Sequence, residues 1–192
     1  MEDRLLSLVR GRHGHFRLES GHHGDVWFDL ETLCLHSHEI RAFARRLAAQ
    51  LEKYQVDVVC GPLVEGAFVA LLVSLELGCQ FTYAERYDDG THHGLFPVQY
   101  RLPKSLQPAV SGKRVAIVND VISAGSAVRG TFLDLRATGA EVVAIAALLA
   151  LGDSIADFAG EHGVVLELLE RIPNNLWKPQ DCPLCAAGVA IE

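Results

Sequence analysis

The sequence lacks an excess of basic residues. Its 17 lysines and arginines are outnumbered by 24 aspartates and glutamates, which gives a net charge of -7. Proteins whose main ligand is DNA or RNA usually carry a basic stripe that neutralises phosphates, so we exclude nucleic acid as the main partner. A single small anion is not excluded, because backbone N–H groups and a helix dipole can hold one phosphate without net positive charge.

Long apolar runs and paired cysteines are also lacking. No stretch of about 18 uncharged apolar residues occurs, and Met1 to Arg4 do not begin a basic region followed by an apolar core. The five cysteines are an odd number, and only Cys182 and Cys185 are close in sequence, which is not typical of a secreted disulfide framework. We therefore expect no membrane partner, reduced thiols and a cytoplasmic location.

The length and the apolar pattern favour one domain. A chain of 192 residues that is 49% hydrophobic can bury a real core. Short apolar runs at residues 56–60, 79–84, 114–119, 141–151 and 164–169 alternate with helical patterns at residues 37–51, 65–77 and 126–138. This alternation predicts an α/β fold with a mostly parallel central sheet flanked by helices. We expect residues 1–35 and 173–192 to form a small hood on it.

Local signals refine these boundaries. Ser37 is a candidate N-cap, and Gly61 with Pro62 is predicted to end the first strand of the sheet. Residues 86–112 are polar, contain glycine and proline, and are too many for an idle connection in a compact domain. We predict a functional loop there.

The strongest pattern is a strand that ends in a polar pair and is followed by small residues and a helix. In an open α/β sheet, ligands bind beyond the carboxyl ends of the strands. Small side chains let the backbone approach a phosphate closely, and Gly125 permits a left-handed turn. The predicted phosphate loop consists of Asp120, Val121, Ile122, Ser123, Ala124, Gly125, Ser126 and Ala127. Taken alone, the same residues could be an ordinary turn in which an Asp and a Ser cap the helix.

The eight residues together resemble the ribose-phosphate motif of the phosphoribosyltransferases. They are most similar to the orotate type, which has an acid-acid-Val-Ile-Thr-Ala-Gly-Thr-Ala pattern, and Ser123 and Ser126 keep the hydroxyls of the two threonines. The resemblance implies a type I phosphoribosyltransferase fold. It also implies that this loop holds the 5-phosphate and that Asp120 and Asn119 bind the ribose hydroxyls as catalytic residues.

The resemblance extends to other segments. Residues 14–21 are similar to a Gly-x-Phe-x-Leu-x-Ser-Gly motif, and with Trp27 and Phe28 they would line the base pocket, which assigns Ser20 to base binding. Trp27 and Phe28 could equally be core aromatics of a strand. Residues 61–67 resemble the loop that touches pyrophosphate, through Val64 and Glu65. Arg86 would begin the catalytic loop.

Together these likenesses imply an enzyme that transfers a 5-phosphoribosyl group between phosphoribosyl pyrophosphate and a nitrogenous base. Arg86 and a magnesium ion would hold the departing pyrophosphate. The expected partners are phosphoribosyl pyrophosphate or a nucleoside monophosphate, and a second copy of the chain in a homodimer.

Several positions depart from the family pattern. Asn119 replaces the first acid, and Glu19 and Glu65 stand where basic residues are usual. The mobile loop has His92 and His93 but lacks lysine, so these histidines are either exposed loop residues or the acid that protonates the leaving group. An acidic pocket would repel orotate and favour a neutral or cationic base. The alternative function is a non-catalytic sensor of phosphoribosyl pyrophosphate or a nucleotide.

Metal ligands are less clear in the sequence. Cys182 and Cys185, in a Cys-Pro-Leu-Cys tail found in some orotate-type members, are weak zinc candidates because they supply only half of a four-ligand site. The other ligands would have to come from Cys34, a histidine or a partner chain. The N-terminal histidines, His13, His15, His22 and His23, could suggest a metal site, but no Cys or carboxylate near them completes a recognised spacing, so they are interpreted as solvated loop residues.

Overall fold

Helices and strands alternate through most of the chain. The computed structural model describes residues 2–87, 90 and 94–192. The elements in chain order are α1 (Glu2–Leu8), β1 (Arg10–Arg17), β2 (His23–Asp29), α2 (Ser37–Leu51), β3 (Val58–Pro62), α3 (Glu65–Leu77), β4 (Gln80–Tyr87), β5 (Gln99–Arg101), α4 (Gln107–Val110), β6 (Arg114–Ile122), α5 (Ser126–Ala137), β7 (Glu141–Leu151), α6 (Ser154–Glu161), β8 (Val165–Ile172), β9 (Leu176–Trp177) and α7 (Pro183–Ala186).

The main sheet has six strands in the order β5-β4-β3-β6-β7-β8. Strands β4, β3, β6, β7 and β8 are parallel, and only β5 pairs antiparallel, with β4. Its central strands are continuous runs of buried apolar residues, as expected where helices cover both faces. Helices α2 and α3 pack on one face, over Val59 and Val118, and α5 packs on the other, over Val115 and Ile117. The predicted α/β fold with a mostly parallel sheet is confirmed.

A second, smaller sheet lies beside the first and contains β1, β2 and β9. Strands β1 and β2 form an antiparallel hairpin with an irregular register between His13 and Phe16. Strand β9 pairs with β2, where His23 lies opposite Trp177. The N-terminal and C-terminal segments of the chain therefore meet in one sheet.

The predicted phosphate loop is shorter in the structure than in the sequence prediction. Strand β6 continues to Ile122, and Val121 and Ile122 pair with Leu149 and Ala150 of β7. Asp120 is therefore a strand residue and not part of a loop. Two consecutive β-branched residues favour the extended backbone here, which the prediction overlooked. Only residues 123–125 separate β6 from α5.

Other boundaries also differ from the predictions. Ser37 is the first residue of α2, and His36 occupies the N-cap without a side-chain hydrogen bond. The strand β3 does not stop before Gly61 and Pro62, because both residues belong to it and pair with β4. The predicted loop at residues 86–112 contains the end of β4, all of β5 and helix α4. Among the helices described, none is both long enough and apolar enough to span a membrane.

Candidate active site

A cavity of about 440 Å³ opens beyond the carboxyl ends of β6 and β7, facing the β1–β2 hairpin. This is the edge of a parallel sheet at which ligands of α/β proteins bind. The residues that line it are Leu18, Glu19, Ser20, Val26, Trp27, Phe28, Leu30, Glu31, Glu65, Asn119, Val121, Ile122, Ser123, Ala124, Gly125, Ser126, Ala127, Val128 and Leu151.

The turn between β6 and α5 lines this cavity. Gly125 has a left-handed backbone, with φ of 88°, and is the N-cap of α5. Within the described part of the chain, no side chain caps this helix, and its first-turn N–H groups have no partner in the helix itself. Residues 123–127 all line the cavity. The turn can therefore hold one phosphate, through N–H donors and the positive end of the helix dipole.

Arg129 fixes the outer side of this turn. Its guanidinium donates to the backbone oxygens of Ala124 and Ser154, at 3.2 and 2.8 Å, and the Ser154 hydroxyl also donates to Ala124 O. The same guanidinium lies over the rings of Phe96 and Phe158, with its carbon 4.9 and 4.5 Å from their centroids. The carbonyl of Ala124 is thus engaged by protein donors. The sequence analysis did not identify Arg129, which belongs to the helix after the motif.

Asn119 borders the cavity at the end of β6. Its Nδ2 donates to the backbone oxygen of Val121 at 3.0 Å. Its Oδ1 lies so close to Gly66 that a Cβ on that glycine would be 1.9 Å away. Gly66, in the first turn of α3, therefore lets Asn119 lie between β6 and α3. Because the amide is held on one side, its remaining hydrogen-bonding capacity can face the cavity.

Asp120 lies beneath the cavity and does not line it. The residue is only 4% exposed, and its Oδ2 has no hydrogen-bond partner among the described residues. Burial raises the pKa of this carboxyl to about 7, against hydrogen bonds from backbone N–H groups, and the carboxylate of Glu65 adds to the rise. A bond from Asp120 to ribose hydroxyls stays a prediction, and it requires the side chain to turn toward the cavity.

One wall of the cavity is acidic. Glu19, Glu31 and Glu65 line it, and no Lys, Arg or His is among the described lining residues. Arg86, at the end of β4, lies outside the lining and pairs with Glu19, with 3.2 Å between Nε and Oε2. The Tyr100 hydroxyl donates to the same carboxylate at 3.2 Å, and desolvation raises the pKa of this tyrosine. Arg86, which the sequence analysis assigned to pyrophosphate binding, is therefore paired with Glu19.

The β1–β2 hairpin also contributes to the cavity lining. Ser20, Trp27 and Phe28 line it, so the structure brings these residues together with residues 121–127 and Glu65. Val64 precedes α3, is 55% exposed and does not line the cavity. Among the lining residues that the sequence analysis did not single out, Glu31 carries a charge.

The remaining predicted residues lie elsewhere. His92 and His93 fall outside the residues that the structure describes. Cys182 and Cys185 are not in the cavity lining, and they lie beside His15 and His23. Both histidines are buried residues of strands β1 and β2, so their interpretation as solvated loop residues was wrong.

Comparison with known proteins identifies the family. Residues 34–183 match the family described as phosphoribosyl transferase domain. The chain is 31% identical over 176 residues to a protein named orotate phosphoribosyltransferase from Desulforamulus reducens, which covers 92% of this chain and 85% of that protein.

Solved structures show the same fold. An adenine phosphoribosyltransferase from Thermoanaerobacter pseudethanolicus has a TM-score of 0.67 and 17% identity, and the match covers 90% of this chain and 100% of that one. An orotate phosphoribosyltransferase from Mycobacterium tuberculosis, in complex with inorganic phosphate, has a TM-score of 0.64 and 19% identity, with coverage of 88% and 92%. The chain belongs to the phosphoribosyltransferase family.

Proposed function

We propose that the cavity is where this chain transfers a 5-phosphoribosyl group between phosphoribosyl pyrophosphate and a nitrogenous base. Family membership supports the reaction, and one observation supports the site: residues 123–127, at the N-terminus of α5, line the same cavity as the aromatic residues Trp27 and Phe28. A phosphate bound at one wall and a base at the other would leave the ribose between them, beside Asn119.

The residues have distinct proposed roles. The backbone from Ser123 to Ala127 holds the 5-phosphate, and Asn119 accepts a hydrogen bond from the ribose. Ser20, Trp27 and Phe28 orient the base. The transition state of this transfer carries positive charge on the ribose ring, and a carboxylate stabilises such charge better than an amide does. Asp120 is the carboxyl closest in sequence to Asn119, and in its ionised form it supports that charge.

Magnesium is proposed as the cofactor. Mg²⁺ usually binds one or two carboxylates together with substrate phosphates. Glu65 lines the cavity, and the buried Oδ2 of Asp120 lacks a hydrogen-bond partner in the described structure, so these two carboxyls fit such an ion. When bound, the ion neutralises charge on the departing pyrophosphate.

The base is proposed to be neutral or cationic. Three carboxylates line the cavity, and the nearby guanidinium of Arg86 is paired with Glu19. Arg171, near the end of β8, is paired with Asp153. No Lys, Arg or His among the described lining residues could pair with the carboxylate of an anionic base such as orotate. Electrostatic repulsion therefore disfavours binding of such a base.

A homodimer is proposed from the exposed face of α3. Val64, Phe68, Leu71 and Leu75 follow one another at three- and four-residue steps and are 55%, 49%, 41% and 68% exposed. Such an apolar stripe is typical of a surface that another chain covers. Its isologous pairing with the same stripe of a second copy would bury these side chains. The five free thiols support a reducing compartment, which we propose is the cytoplasm.

The reaction is tested by incubating the protein with phosphoribosyl pyrophosphate, Mg²⁺ and single bases, while the release of pyrophosphate is followed. The panel contains orotate, uracil, cytosine and adenine, and a reaction without base measures hydrolysis. We expect base-dependent release, with orotate slower than at least one neutral base. Binding of phosphoribosyl pyrophosphate without turnover on any base would instead support the sensor, which Asn119 and the paired Arg86 favour. Fastest turnover on orotate would overturn the proposed base preference.

A further inference from the structure

Four potential metal ligands meet outside the cavity, where the hairpin contacts the C-terminal segment. They are His15 of β1, His23 of β2, Cys182 and Cys185. His15, His23 and Cys182 are 1%, 5% and 3% exposed, and Cys185 lies at the surface. Their ligand atoms all lie within 4.8 Å of one another. The two histidines are far in sequence from the two cysteines, since His15 and Cys182 are 167 positions apart. The fold therefore creates this cluster.

Four of the six distances between the ligand atoms are close to the edges of a tetrahedral site, and the other two do not exceed 4.8 Å. Zinc bonds of about 2.1 Å to nitrogen and about 2.3 Å to sulfur imply edges of about 3.4 Å between two nitrogens and about 3.6 Å between nitrogen and sulfur. His15 Nε2 lies 3.1 Å from His23 Nδ1 and 3.4 Å from Cys182 Sγ. Cys185 Sγ lies 3.7 Å from His15 Nε2 and 3.2 Å from His23 Nδ1. The four atoms therefore surround a space of the size that one metal ion needs.

The hydrogen bonding of His15 suits a metal ligand. Its Nδ1 lies 2.8 Å from the backbone oxygen of Val189, which can only accept, so this nitrogen carries the proton. The lone pair of the neutral ring is then on Nε2, the atom that faces the two sulfurs and His23. In metal sites, the ring nitrogen that does not bind the metal commonly donates such a hydrogen bond, which orients the histidine.

We propose that His15, His23, Cys182 and Cys185 bind one zinc ion. Two thiolates and two imidazoles form the tetrahedral ligand set of structural zinc sites, and Mg²⁺ and Ca²⁺ prefer oxygen ligands. The Cys-Pro-Leu-Cys segment has the two-residue spacing of such sites. All four positions are filled by protein, so this zinc has no open position for substrate. Binding releases one proton from each thiol, and the thiolates then remain on the metal.

The site would attach the C-terminal segment to the hairpin that walls the cavity. Both histidines belong to that hairpin: His15 precedes Ser20 by five residues, and His23 precedes Trp27 by four. In the described structure, Cys182 is the N-cap of α7 and Cys185 lies within this helix, which has only four residues. So short a helix is not stable by itself. The zinc ion would hold this segment and, with it, the position of the hairpin.

The first test measures metal in the full-length protein purified without chelator. Plasma mass spectrometry and native mass spectrometry should find about one zinc per chain. His15→Gln and Cys185→Ser should lose it. The matched controls, His13→Gln on the same strand and Cys34→Ser at another partly buried thiol, should keep it. Cobalt in place of zinc should show the visible absorption of a tetrahedral site with thiolate ligands.

If a variant fails to fold, the zinc content of the wild-type protein still decides the test. Substoichiometric zinc in the wild type, or a disulfide between Cys182 and Cys185 in place of metal, would overturn the proposal. Zinc that survives in folded His15→Gln protein would also overturn it. A consequence for catalysis rests on the proposed function: removing zinc should raise KM for the base more than KM for phosphoribosyl pyrophosphate. Equal KM values with and without zinc would contradict that consequence and leave the metal content as an independent result.

Discussion

The guanidinium of Arg86 lies 3.2 Å from the carboxylate of Glu19. The pair joins the two sheets, because Glu19 lies in the connection between β1 and β2 of the small sheet and Arg86 lies near the end of β4 of the main sheet. Glu19 lines the cavity, and it also accepts a hydrogen bond from Tyr100. In this arrangement, one acid neutralises the cation that could otherwise attract pyrophosphate.

Replacing Glu19 by Gln should therefore lower KM for phosphoribosyl pyrophosphate. The change removes a negative charge from the cavity wall, and this charge repels the phosphates of the substrate. Because both partners are partly exposed, the effect should be about 1 kcal/mol or less, which is at most about fivefold. Steady-state kinetics measure it. Glu76→Gln is the control, since Glu76 pairs with Arg41 and Arg45 on an outer face. A higher KM in Glu19→Gln would contradict the prediction.

Gly125→Ala should weaken phosphate binding. An added Cβ would meet Ile155 at 3.2 Å and would occupy a left-handed backbone, with φ of 88°. Relaxing this strain would move the N–H groups of the turn, so we expect affinity for ribose 5-phosphate to fall about tenfold, or about 1.4 kcal/mol. Isothermal titration calorimetry measures the affinity.

Gly139→Ala is a matched control for this variant. Gly139 also has a left-handed backbone, with φ of 87°, but it lies beyond the other end of α5. Both substitutions should lower the free energy of unfolding by about 1 kcal/mol, since alanine is strained in this region. Only Gly125→Ala should lose affinity. Equal affinity in both variants would show that the phosphate does not bind at this turn.

The charge state of Asp120 should make ligand binding depend on pH. Burial raises its folded pKa to about 7, so the side chain gains its charge as the pH rises through that value. Affinity for ribose 5-phosphate should then be higher one pH unit above about 7 than one unit below it. The second ionisation of the phosphate also titrates near about 6, so Asp120→Asn is needed to separate the two effects. A pH dependence identical in both proteins would exclude Asp120.

The contribution of Asp120 to the free energy of unfolding should fall as the pH rises, whereas the affinity for the ligand should increase. The folded chain binds the Asp120 proton more tightly than the unfolded chain, where the pKa is near 3.8. The contribution of this group is therefore present at low pH and is lost as the pH rises from about 4 to about 7. Denaturant unfolding should show this loss in the wild type relative to Asp120→Asn.

Phe68→Glu should dissociate the proposed homodimer. A charge in the centre of the α3 stripe would have to be buried against the same stripe of a second copy, which is costly. Light scattering should report a dimer for the wild type and a monomer for the variant. Leu133→Glu is the control, because Leu133 is an exposed apolar residue on α5, 60% accessible and outside the stripe. A monomeric wild type would disprove the proposed dimer.

The sheet and its helices were predictable because their apolar residues recur with clear periods. The helix at residues 37–51 shows a three- and four-residue period, and the strand at residues 141–151 is a continuous apolar run. The turn before α5 was also recognisable as a turn, since small residues lie there between a buried strand and a helix, and its binding of phosphate stays a prediction. Its start was predicted too early because Val121 and Ile122 have strong strand propensity, which the prediction did not weigh.

Contacts between distant residues were not predictable from one sequence. The pair of Arg86 with Glu19 joins residues 67 positions apart, and Cys182 and His15 are separated by 167. Nothing in the local pattern around His15 distinguishes it from His13, which lies on the same strand but is exposed. The irregular register of β1 near these residues, together with the pairing of β9 with β2, brings one histidine and not the other to the cysteines.

A crystal structure of the protein with ribose 5-phosphate tests the central claim most directly. The phosphate should lie within hydrogen-bonding distance of the N–H groups of residues 123–127, with the ribose toward Asn119. A phosphate bound elsewhere would contradict the claim. Hydrogen bonds from the N–H groups of this turn to protein atoms, in a structure that contains the ligand, would also contradict it.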